Sequence, residues 1–264
     1  NHITFTGSVP TGIAVMKAAA ENLVPVTLEL GGKSPNIVFA DAPFEQAIEG
    51  VVRSIIQNAG QTCSAGARLL IETSAKEAFL KQLVKRFESL CIGPGEADLD
   101  MGPVLNERQY QKIIALLKQA KEDGSVLTGG ETLTVEGFEK GYYVQPTILD
   151  GLDSQHPLAQ DEIFGPVLAV FEFETIEQAI ELANSTQYGL VAGIWSKNLD
   201  TAHYVVSRVQ AGQVFVNNYG AAGGIQMPFG GYKKSGIGRE KGFVALRNYT
   251  QMKNIAIRYA SPNG

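Results

Sequence analysis

The chain has 264 residues, 44% of them hydrophobic and 19% charged, and its formal net charge is −5. This composition is typical of a globular protein, and the scattered basic residues argue against a nucleic-acid or anionic-membrane partner. No apolar run approaches the roughly 18 residues that a membrane-spanning helix needs. Two cysteines are too few for a disulfide framework, so we expect a reducing, cytoplasmic setting.

The first predicted element is a strand that is already under way at the first residue. "HITF" alternates and is rich in β-formers, and no initiator methionine or signal-peptide pattern precedes it. We therefore expect the chain to be the C-terminal part of a longer protein. After "TGSVPTG", the Ala-rich run "IAVMKAAAE" predicts a helix with Ser8 as its N-cap and Pro10 in its first turn.

Two more strands, a helix and a third strand are predicted next. "VPVTLEL" and "PNIVFA" are the strands, and the glycine pair of "ELGGKSPNIVF" separates them. Asp41 is expected to cap the helix "APFEQAIEGVVRSIIQNAG", whose apolar residues recur on one face and which ends at Gly60. "ARLLIE" then predicts a buried strand.

The rest of the chain repeats this alternation of helices and strands. Helices are predicted over 75–90 and 107–123, and a turn-rich segment with short strands follows over 129–149. The strands "GPVLAVFEF", "GLVAGIWS" and "GQVFVNN" alternate with helices over 175–186 and 200–210, and the tail "YTQMKNIAIRYA" reads as an edge strand. The pattern predicts an α/β fold with a mostly parallel sheet flanked by helices.

Cys63 is the candidate nucleophile. It lies in "NAGQTCSAG", between a helix and a buried strand and among small residues, where an α/β sheet collects catalytic groups. The alternative for Cys63 is a small buried hydrophobic residue, the usual state of a free cysteine. Cys91, at a helix end in "FESLCIG", we interpret as structural. His2, His156 and His203 lack a distinctive context, so a Cys–His hydrolase has weak support, and no Cys/His pair has the spacing of a metal site.

Glu29 is the better partner for the thiol. It stands directly before the flexible segment that contains Gly31 and Gly32, which would let the carboxylate move. An apolar surround would raise its pKa into the working range of a general base. The alternative interpretation is an exposed acid at the end of a strand.

Two further motifs suit a dinucleotide. Gly7, Ser8 and Gly12 lie at a helix start in "FTGSVPTG", where free N–H groups can bind pyrophosphate, although an ordinary glycine turn has the same spacing. "QDEIFGPV" places Glu162 and Phe164 before a buried strand. The acid could hold ribose hydroxyls and the ring could pack on a flat group, or the two could be a turn acid and a core phenylalanine.

The order of these motifs is more specific than any one of them. "FTGS", "LELGGKSP", "GQTCSAG", "DEIFGPV" and "PFGGYKKSGIGRE" together resemble the C-terminal half or slightly more of the NAD(P)-dependent aldehyde dehydrogenase superfamily. The resemblance implies an incomplete, Rossmann-like end of the dinucleotide-binding domain over 1–31, a catalytic domain over 32–232, and a return segment with a C-terminal oligomerisation strand over 233–264.

The resemblance also implies the roles of individual residues. Cys63 would attack an aldehyde to give a thiohemiacetal, hydride would pass to the nicotinamide, and Glu29 would activate the water that hydrolyses the resulting thioester. Phe229 would line the substrate channel. The implied contacts to the cofactor, NAD or NADP, are Gly7, Ser8, Gly12, Leu30, Glu162 and Phe164.

The implied partners are a small-molecule aldehyde and further copies of the chain in a homodimer or homotetramer. In the family, the asparagine that helps to bind the oxyanion and the lysine that sets nucleotide preference lie upstream of the first residue of this chain. We therefore expect the 264-residue chain to bind NAD poorly and to turn over little. The loop over 217–227 is small and uncharged, which disfavours a dicarboxylic semialdehyde.

Two alternatives to a dehydrogenase stay open. The first is an NAD-independent, esterase-like hydrolase, because Cys63 and Glu29 could acylate and deacylate without a hydride acceptor. The second is a non-catalytic assembly fragment that offers its C-terminal strand to a partner subunit.

Overall fold

The computed structural model describes residues 1–220 and 224–259, and within them it contains twelve strands and eight α-helices. The strands are β1 (Ile3–Thr6), β2 (Val26–Glu29), β3 (Pro35–Val38), β4 (Arg68–Glu72), β5 (Val126–Thr128), β6 (Thr132–Leu133), β7 (Tyr143–Val144), β8 (Thr147–Leu149), β9 (Val167–Phe173), β10 (Val191–Trp195), β11 (Gln213–Val216) and β12 (Gly236–Ile237). The helices are α1 (Val9–Glu21), α2 (Phe44–Ile56), α3 (Thr73–Glu88), α4 (Glu107–Glu122), α5 (Pro157–Gln160), α6 (Ile176–Asn184), α7 (Leu199–Val206) and α8 (Gly242–Leu246).

A seven-stranded sheet forms the main layer, in the order β11-β10-β3-β4-β9-β8-β5. Every neighbouring pair is parallel except β5 and β8. Successive strand residues point to opposite faces, so that Val38 and Ile71 pack with α2 and α3 while Ile37 and Leu70 pack with α6 and α7. Both faces are therefore covered, as parallel sheets require, and the predicted mostly parallel α/β fold is confirmed.

A second, three-stranded sheet has the order β1-β2-β12 and carries Glu29 at the end of its central strand. β1 and β2 are parallel, whereas β12 is antiparallel to β2. The chain leaves β2 through residues 30–34 and enters β3 of the large sheet. At the start of α1, Ser8 accepts a hydrogen bond from the Thr11 N–H at 3.4 Å, and Pro10 lies in the first turn, as predicted.

Asp41 does not cap α2, so that prediction is wrong. The helix begins after Pro43 without a side-chain cap. The Asp41 carboxylate instead accepts hydrogen bonds from the Ser196 hydroxyl at 3.0 Å and from the N–H groups of Lys197 and Asn198 at 3.0 and 2.9 Å. Charge-assisted bonds to the loop after β10 outweigh one capping bond, and only the tertiary fold brings that loop within reach.

The predicted tail strand does not form in the single chain. Residues 251–259 carry no strand and are exposed, and residue 260 lies outside the described residues. A strand needs the N–H and C=O groups of a neighbouring strand. In the described part of the chain, no strand lies beside this segment to provide them. The loop over 217–227, whose small uncharged residues disfavour a dicarboxylic semialdehyde as substrate, includes residues 221–223, which lie outside the described part of the chain.

Arg68 of β4 ties the segment that follows Glu29 to the end of α6. This side chain is 3% exposed, and its Nε donates to the Lys33 carbonyl at 2.9 Å. Its two Nη atoms donate to the carbonyls of Leu182 and Ala183 at 2.7 and 2.9 Å. A cation suits these carbonyls because the C-terminal turn of a helix leaves its C=O groups unpaired and negative.

We expect Arg68→Leu to lower the free energy of unfolding by about 3 kcal/mol or more, because it removes the charged donor from the buried carbonyls of Lys33 and Ala183 and from the partly buried carbonyl of Leu182. Urea denaturation measures the effect. The exposed Arg108 of α4 provides the control, and Arg108→Leu should leave the denaturation midpoint nearly unchanged. Equal denaturation midpoints for the two variants would contradict a stabilising role of the Arg68 hydrogen bonds.

Candidate active site

A cavity of about 490 Å³ lies where the two sheets meet. Five separate segments form its walls: the β1–α1 turn, the end of β2, the loop before β4, the start of α4 and the loop before β9. The lining residues are Thr6, Gly7, Ser8, Glu29, Gly31, Gln61, Thr62, Cys63, Gln109, Lys112, Glu162 and Phe164. The fold therefore brings together six of the candidate catalytic and cofactor-binding residues, namely Gly7, Ser8, Glu29, Cys63, Glu162 and Phe164.

The loop that carries Cys63 begins with a turn of unusual backbone. After α2, a 3₁₀ turn over Gln57–Gly60 places Asn58 and Ala59 at φ +52° and +55° and Gly60 at φ +71°. A Cβ at Gly60 would lie 2.1 Å from the Gly165 carbonyl oxygen. The predicted stop at Gly60 thus has a second cause, which is close packing against the loop before β9.

Cys63 is half-buried, and its surroundings disfavour the thiolate in the resting chain. Burial raises the pKa of the thiol, and the nearby charges of Glu162 and Glu29 raise it further. The nucleophile therefore needs a local base, or relief from these charges, before it can react.

Glu29 is 4% exposed, and neither of its carboxylate oxygens has a hydrogen-bond partner among the described residues. Burial raises the pKa of this carboxyl to about 8, helped by the charge of Glu240 and opposed by Arg239. A carboxyl group with a pKa near 8 can both take up and release a proton near neutrality. Its free oxygens leave it able to bind water or a reacting group.

Glu240 does not line the cavity, but its charge acts on Glu29, and the sequence did not reveal this neighbour. One of its own carboxylate oxygens is buried without a partner in the described part of the chain. It lies near Glu29 because its segment pairs with Phe229 through two backbone hydrogen bonds of 2.7 Å and continues from β12, the strand beside β2. The only signal was an acid at the end of "GIGRE". Phe229 itself is half-buried and does not line the cavity.

The glycine pair allows close packing on both of its sides. A Cβ at Gly31 would lie 2.3 Å from Glu162 Oε2, and a Cβ at Gly32 would lie 2.4 Å from the Cys63 carbonyl oxygen. The Gly32 N–H also donates to Glu162 Oε1 at 3.2 Å. The two glycines therefore let the Glu29 segment pack closely against both neighbouring loops. The sequence predicted only that they would allow Glu29 to move.

We expect Gly32→Ala to destabilise the protein by about 2 kcal/mol or more, because the new methyl group meets the backbone of Cys63. Gly31→Ala should cost less, since the flexible Glu162 side chain can move away, and it should speed alkylation of Cys63 at neutral pH. Gly102→Ala is the matched control because nothing lies within 4 Å of its new methyl group. Urea denaturation should rank the three variants in this order, and a reversed order would contradict the packing argument.

Gly12 and Leu30 lie behind the cavity wall. A Cβ at Gly12 would lie 2.6 Å from Leu30 Cδ2, so the pair packs α1 onto β2. The Leu30 N–H is taken by the Ser235 carbonyl at 2.9 Å. Their contacts to a cofactor therefore stay a prediction that rests on the resemblance.

None of the three histidines lines the cavity. His203 is exposed on α7, and the other two have partners elsewhere. The His2 ring hydrogen-bonds to the Thr27 hydroxyl at 3.0 Å, and His156 Nδ1 accepts the Leu158 N–H at 3.2 Å at the start of α5. Within residues 1–220 and 224–259, no group of three or more His, Cys, Asp or Glu side chains could hold a metal ion. Over the same residues, no helix is both long and apolar enough to cross a membrane.

The fold and the cavity define a class: α/β proteins in which a cysteine thiol and a buried glutamate face one cavity between two sheets. The chain belongs to the aldehyde dehydrogenase family, because the sequence model of the "Aldehyde dehydrogenase family" matches residues 1–255. The resemblance inferred from the motifs is thereby confirmed.

Individual relatives agree with this assignment. The chain is 40% identical over 257 residues to a betaine aldehyde dehydrogenase of Brucella anthropi, covering 97% of this chain and 53% of the relative. It is 41% identical to the putative aldehyde dehydrogenase DhaS of Bacillus subtilis, covering 96% of this chain and 50% of the relative. The chain thus spans about half the length of the curated relatives that it matches.

Solved structures show the same similarity in three dimensions. A putative aldehyde dehydrogenase from Burkholderia cenocepacia has 50% identity and a TM-score of 0.95, covering 98% of this chain and 55% of its own. Betaine aldehyde dehydrogenase from Staphylococcus aureus, solved in complex with NAD+, has 39% identity and a TM-score of 0.91, covering 94% of this chain and 50% of its own.

Proposed function

We propose that this chain supplies the nucleophile and the general base of an NAD(P)-dependent aldehyde dehydrogenase that oxidises an aldehyde to a carboxylic acid. The observation that carries the proposal is the shared cavity: Cys63 and Glu29 both line it, and the Glu29 oxygens have no partner among the described residues. A thiol and a carboxyl group of raised pKa are the two groups that acyl chemistry through a thioester requires.

The cavity residues also suit a nicotinamide dinucleotide. The Glu162 carboxylate can accept hydrogen bonds from two neighbouring ribose hydroxyls, and Phe164 offers an aromatic surface beside it. The first turn of α1 contains no acidic residue, and its positive end lies at the cavity beside Ser8. The Gly7 N–H donates to the Glu29 carbonyl at 3.0 Å and the Thr11 N–H to Ser8 Oγ at 3.4 Å, so the helix dipole, rather than the Gly7 N–H, would attract a phosphate here. When bound, NAD(P)+ supplies the hydride acceptor; the chain's own residues perform the remaining proton and acyl transfers.

Glu29 serves both transfers in this proposal. As a carboxylate it takes the proton of Cys63, and the thiolate adds to the aldehyde carbon to form a thiohemiacetal. The Cys63 backbone N–H is one donor for the resulting oxyanion. After oxidation of the oxyanion has left a thioester on Cys63, Glu29 releases its first proton to solvent and then removes a proton from water as that water attacks the thioester carbon. This second proton passes to the departing Cys63 sulfur, which releases the carboxylic acid and restores the thiol.

Aldehyde protection tests this proposal within one molecule. The chain is treated with limiting iodoacetamide, with and without excess propanal, and alkylation of each cysteine is followed by peptide mass spectrometry. We expect propanal to slow the labelling of Cys63 and to leave Cys91, which is exposed and outside the cavity, unaffected. Identical Cys63 labelling with and without propanal would contradict a thiohemiacetal at this residue.

An NAD-independent hydrolase is the second candidate, because the two groups that it needs already share the cavity in this chain. Ester turnover that does not change when NAD is added, and that is lost in Cys63→Ala, would favour the hydrolase.

For the whole protein we further propose self-association, supported by exposed apolar residues along the tail, including Met252, Ile255 and Ile257. A cytoplasmic location is supported by the two unpaired cysteines.

A further inference from the structure

The start of α4 holds the loop that carries Glu162 and Phe164. Gln109 Nε2 donates to the carbonyls of Ile163 and Phe164 at 2.9 and 2.8 Å. Lys112 Nζ donates to the carbonyls of Glu162 and Ile163 at 3.1 and 3.4 Å. Two side chains three positions apart, on the same face of the helix, therefore bind three consecutive carbonyls. Both side chains also line the cavity.

The turn that they hold needs such support. Phe164 has φ +57°, a left-handed conformation that bulky L-residues rarely adopt. The next residue presses directly on the helix, since a Cβ at Gly165 would lie 2.6 Å from Ile113 Cδ1. A conformation of this kind persists only where its surroundings over-determine it, and here α4 provides those surroundings.

The same end of α4 is tied to the loop of the nucleophile. The Leu105 N–H donates to Gln61 Oε1 at 2.9 Å, and Gln61 Nε2 donates to the Asn58 carbonyl at 2.8 Å. Asn106 then caps the helix by accepting the Gln109 N–H at 2.9 Å. Gln61 is two residues before Cys63, so one helix end is bonded to both functional loops.

We propose that the first two turns of α4 act as a brace, in which Gln109 and Lys112 are positioning residues that hold Glu162 and Phe164 at a fixed spacing from Cys63. The functional meaning of this spacing rests on the proposed function. Neither residue needs to touch the reacting atoms for the role, because each acts through backbone carbonyls of the turn.

The brace has an electrostatic consequence at the thiol. Glu162 faces the Gly32 N–H, Lys112 and Lys33, which lower its pKa against the dominant effect of burial. Its charge in turn raises the pKa of Cys63. If the turn is released, Glu162 can leave Gly32, and the thiol pKa should fall.

Amide hydrogen exchange over residues 161–167, measured in the 264-residue chain, tests the brace. In Gln109→Leu we expect amide exchange over residues 161–167 to rise about tenfold or more, as loss of two hydrogen bonds implies. The pH midpoint of Cys63 alkylation should move down in the same variant. Gln111→Leu is the matched control because Gln111 is exposed on the same helix. Lys112→Met should behave like Gln109→Leu, and Lys112→Arg, which keeps the charge and the donors, should restore slow exchange.

Two results would overturn the brace. Exchange over residues 161–167 in Gln109→Leu could match that in Gln111→Leu, or it could rise only in step with exchange of β10, which would show a general loss of stability. Either result leaves the proposed function intact if propanal still protects Cys63 in the unmodified chain. Loss of that protection, with normal exchange behaviour, would instead count against the proposed function.

Discussion

Cys63→Ala is expected to lower the rate of acyl transfer from an activated acetyl ester by about a thousandfold or more, the usual effect of removing a nucleophile. Cys63 is the cysteine that lines the cavity beside Glu29. The measurement is the release of p-nitrophenol from p-nitrophenyl acetate, together with mass spectrometry of the acetylated chain. This reaction needs no hydride acceptor, so it reports on the thiol alone.

Cys91→Ala is the control for this experiment. Cys91 is exposed, and its backbone N–H donates to Asp100 at 2.9 Å, away from the cavity. We expect this variant to acetylate at the rate of the unmodified chain and to carry the acetyl group on Cys63. Retention of the full rate in Cys63→Ala, or loss of it in Cys91→Ala, would remove the basis for the nucleophile assignment.

Glu29→Gln is expected to change both reactivity and the pH dependence of stability. The base form of Glu29 grows as pH rises through its pKa of about 8, so deacylation of acetylated Cys63 should accelerate up to that pH. The glutamine variant should lose about a hundredfold or more at the plateau, the contribution typical of general-base catalysis. The deacylation rate is measured by using mass spectrometry to monitor the loss of the acetyl group from Cys63 at a series of pH values from 6 to about 9.

The effect of Glu29 on stability has a definite sign. Its pKa is raised from 4.5 to about 8 in the folded chain, so between these values the native state binds the extra proton. The stability that this gives is complete below pH 4.5 and is lost as pH rises through about 8, a change of at most ~5 kcal/mol. Glu29→Gln should abolish this decline, while Glu77→Gln, at an exposed position of α3, should keep it.

Lys33 contributes with the opposite sign at higher pH. It is 1% exposed, its Nζ has no partner among the described residues, and burial followed by the charge of Arg68 lowers its pKa from 10.5 to about 7. Here the unfolded state binds the extra proton, so stability rises with pH between about 7 and 10.5. Together the two groups predict a minimum of stability near pH 7 to 8, and Lys33→Met should remove only the rise on its alkaline side.

The reactive residues of the site could be predicted from the sequence, whereas the residues that hold them in place could not. Cys63, Glu29 and Glu162 stand in motifs whose order is distinctive, and the structure places all three on one cavity. Gln109 and Lys112 belong to an ordinary amphipathic helix, and their hydrogen bonds join them to a turn that lies 50 to 55 positions further along the chain. No local pattern marks such partners, because only the tertiary fold brings them together.

The wrong prediction for Asp41 and the absence of the tail strand in the single chain have the same origin. Asp41 has the residue type and position of a helix cap, but backbone donors from a distant loop bind it more strongly. The tail has the alternation of a strand, but the described chain offers no neighbour for it to pair with. Local propensity identifies what a segment can do, whereas the choice among its options depends on partners that are remote or lie on another molecule.

The five residues between β2 and β3 divide the site between two sheets, with Glu29 before them and Cys63 after them. A chimera of two family members joined inside this segment would therefore inherit its base from one parent and its thiol from the other. Such hybrids would let the acidity of the carboxyl group and the nucleophilicity of the sulfur be varied by recombination rather than by point mutation. The crossover would succeed best where both parents keep glycine at position 32, because a Cβ there would meet the backbone carbonyl of Cys63, whereas at position 31 only the flexible Glu162 side chain would have to move.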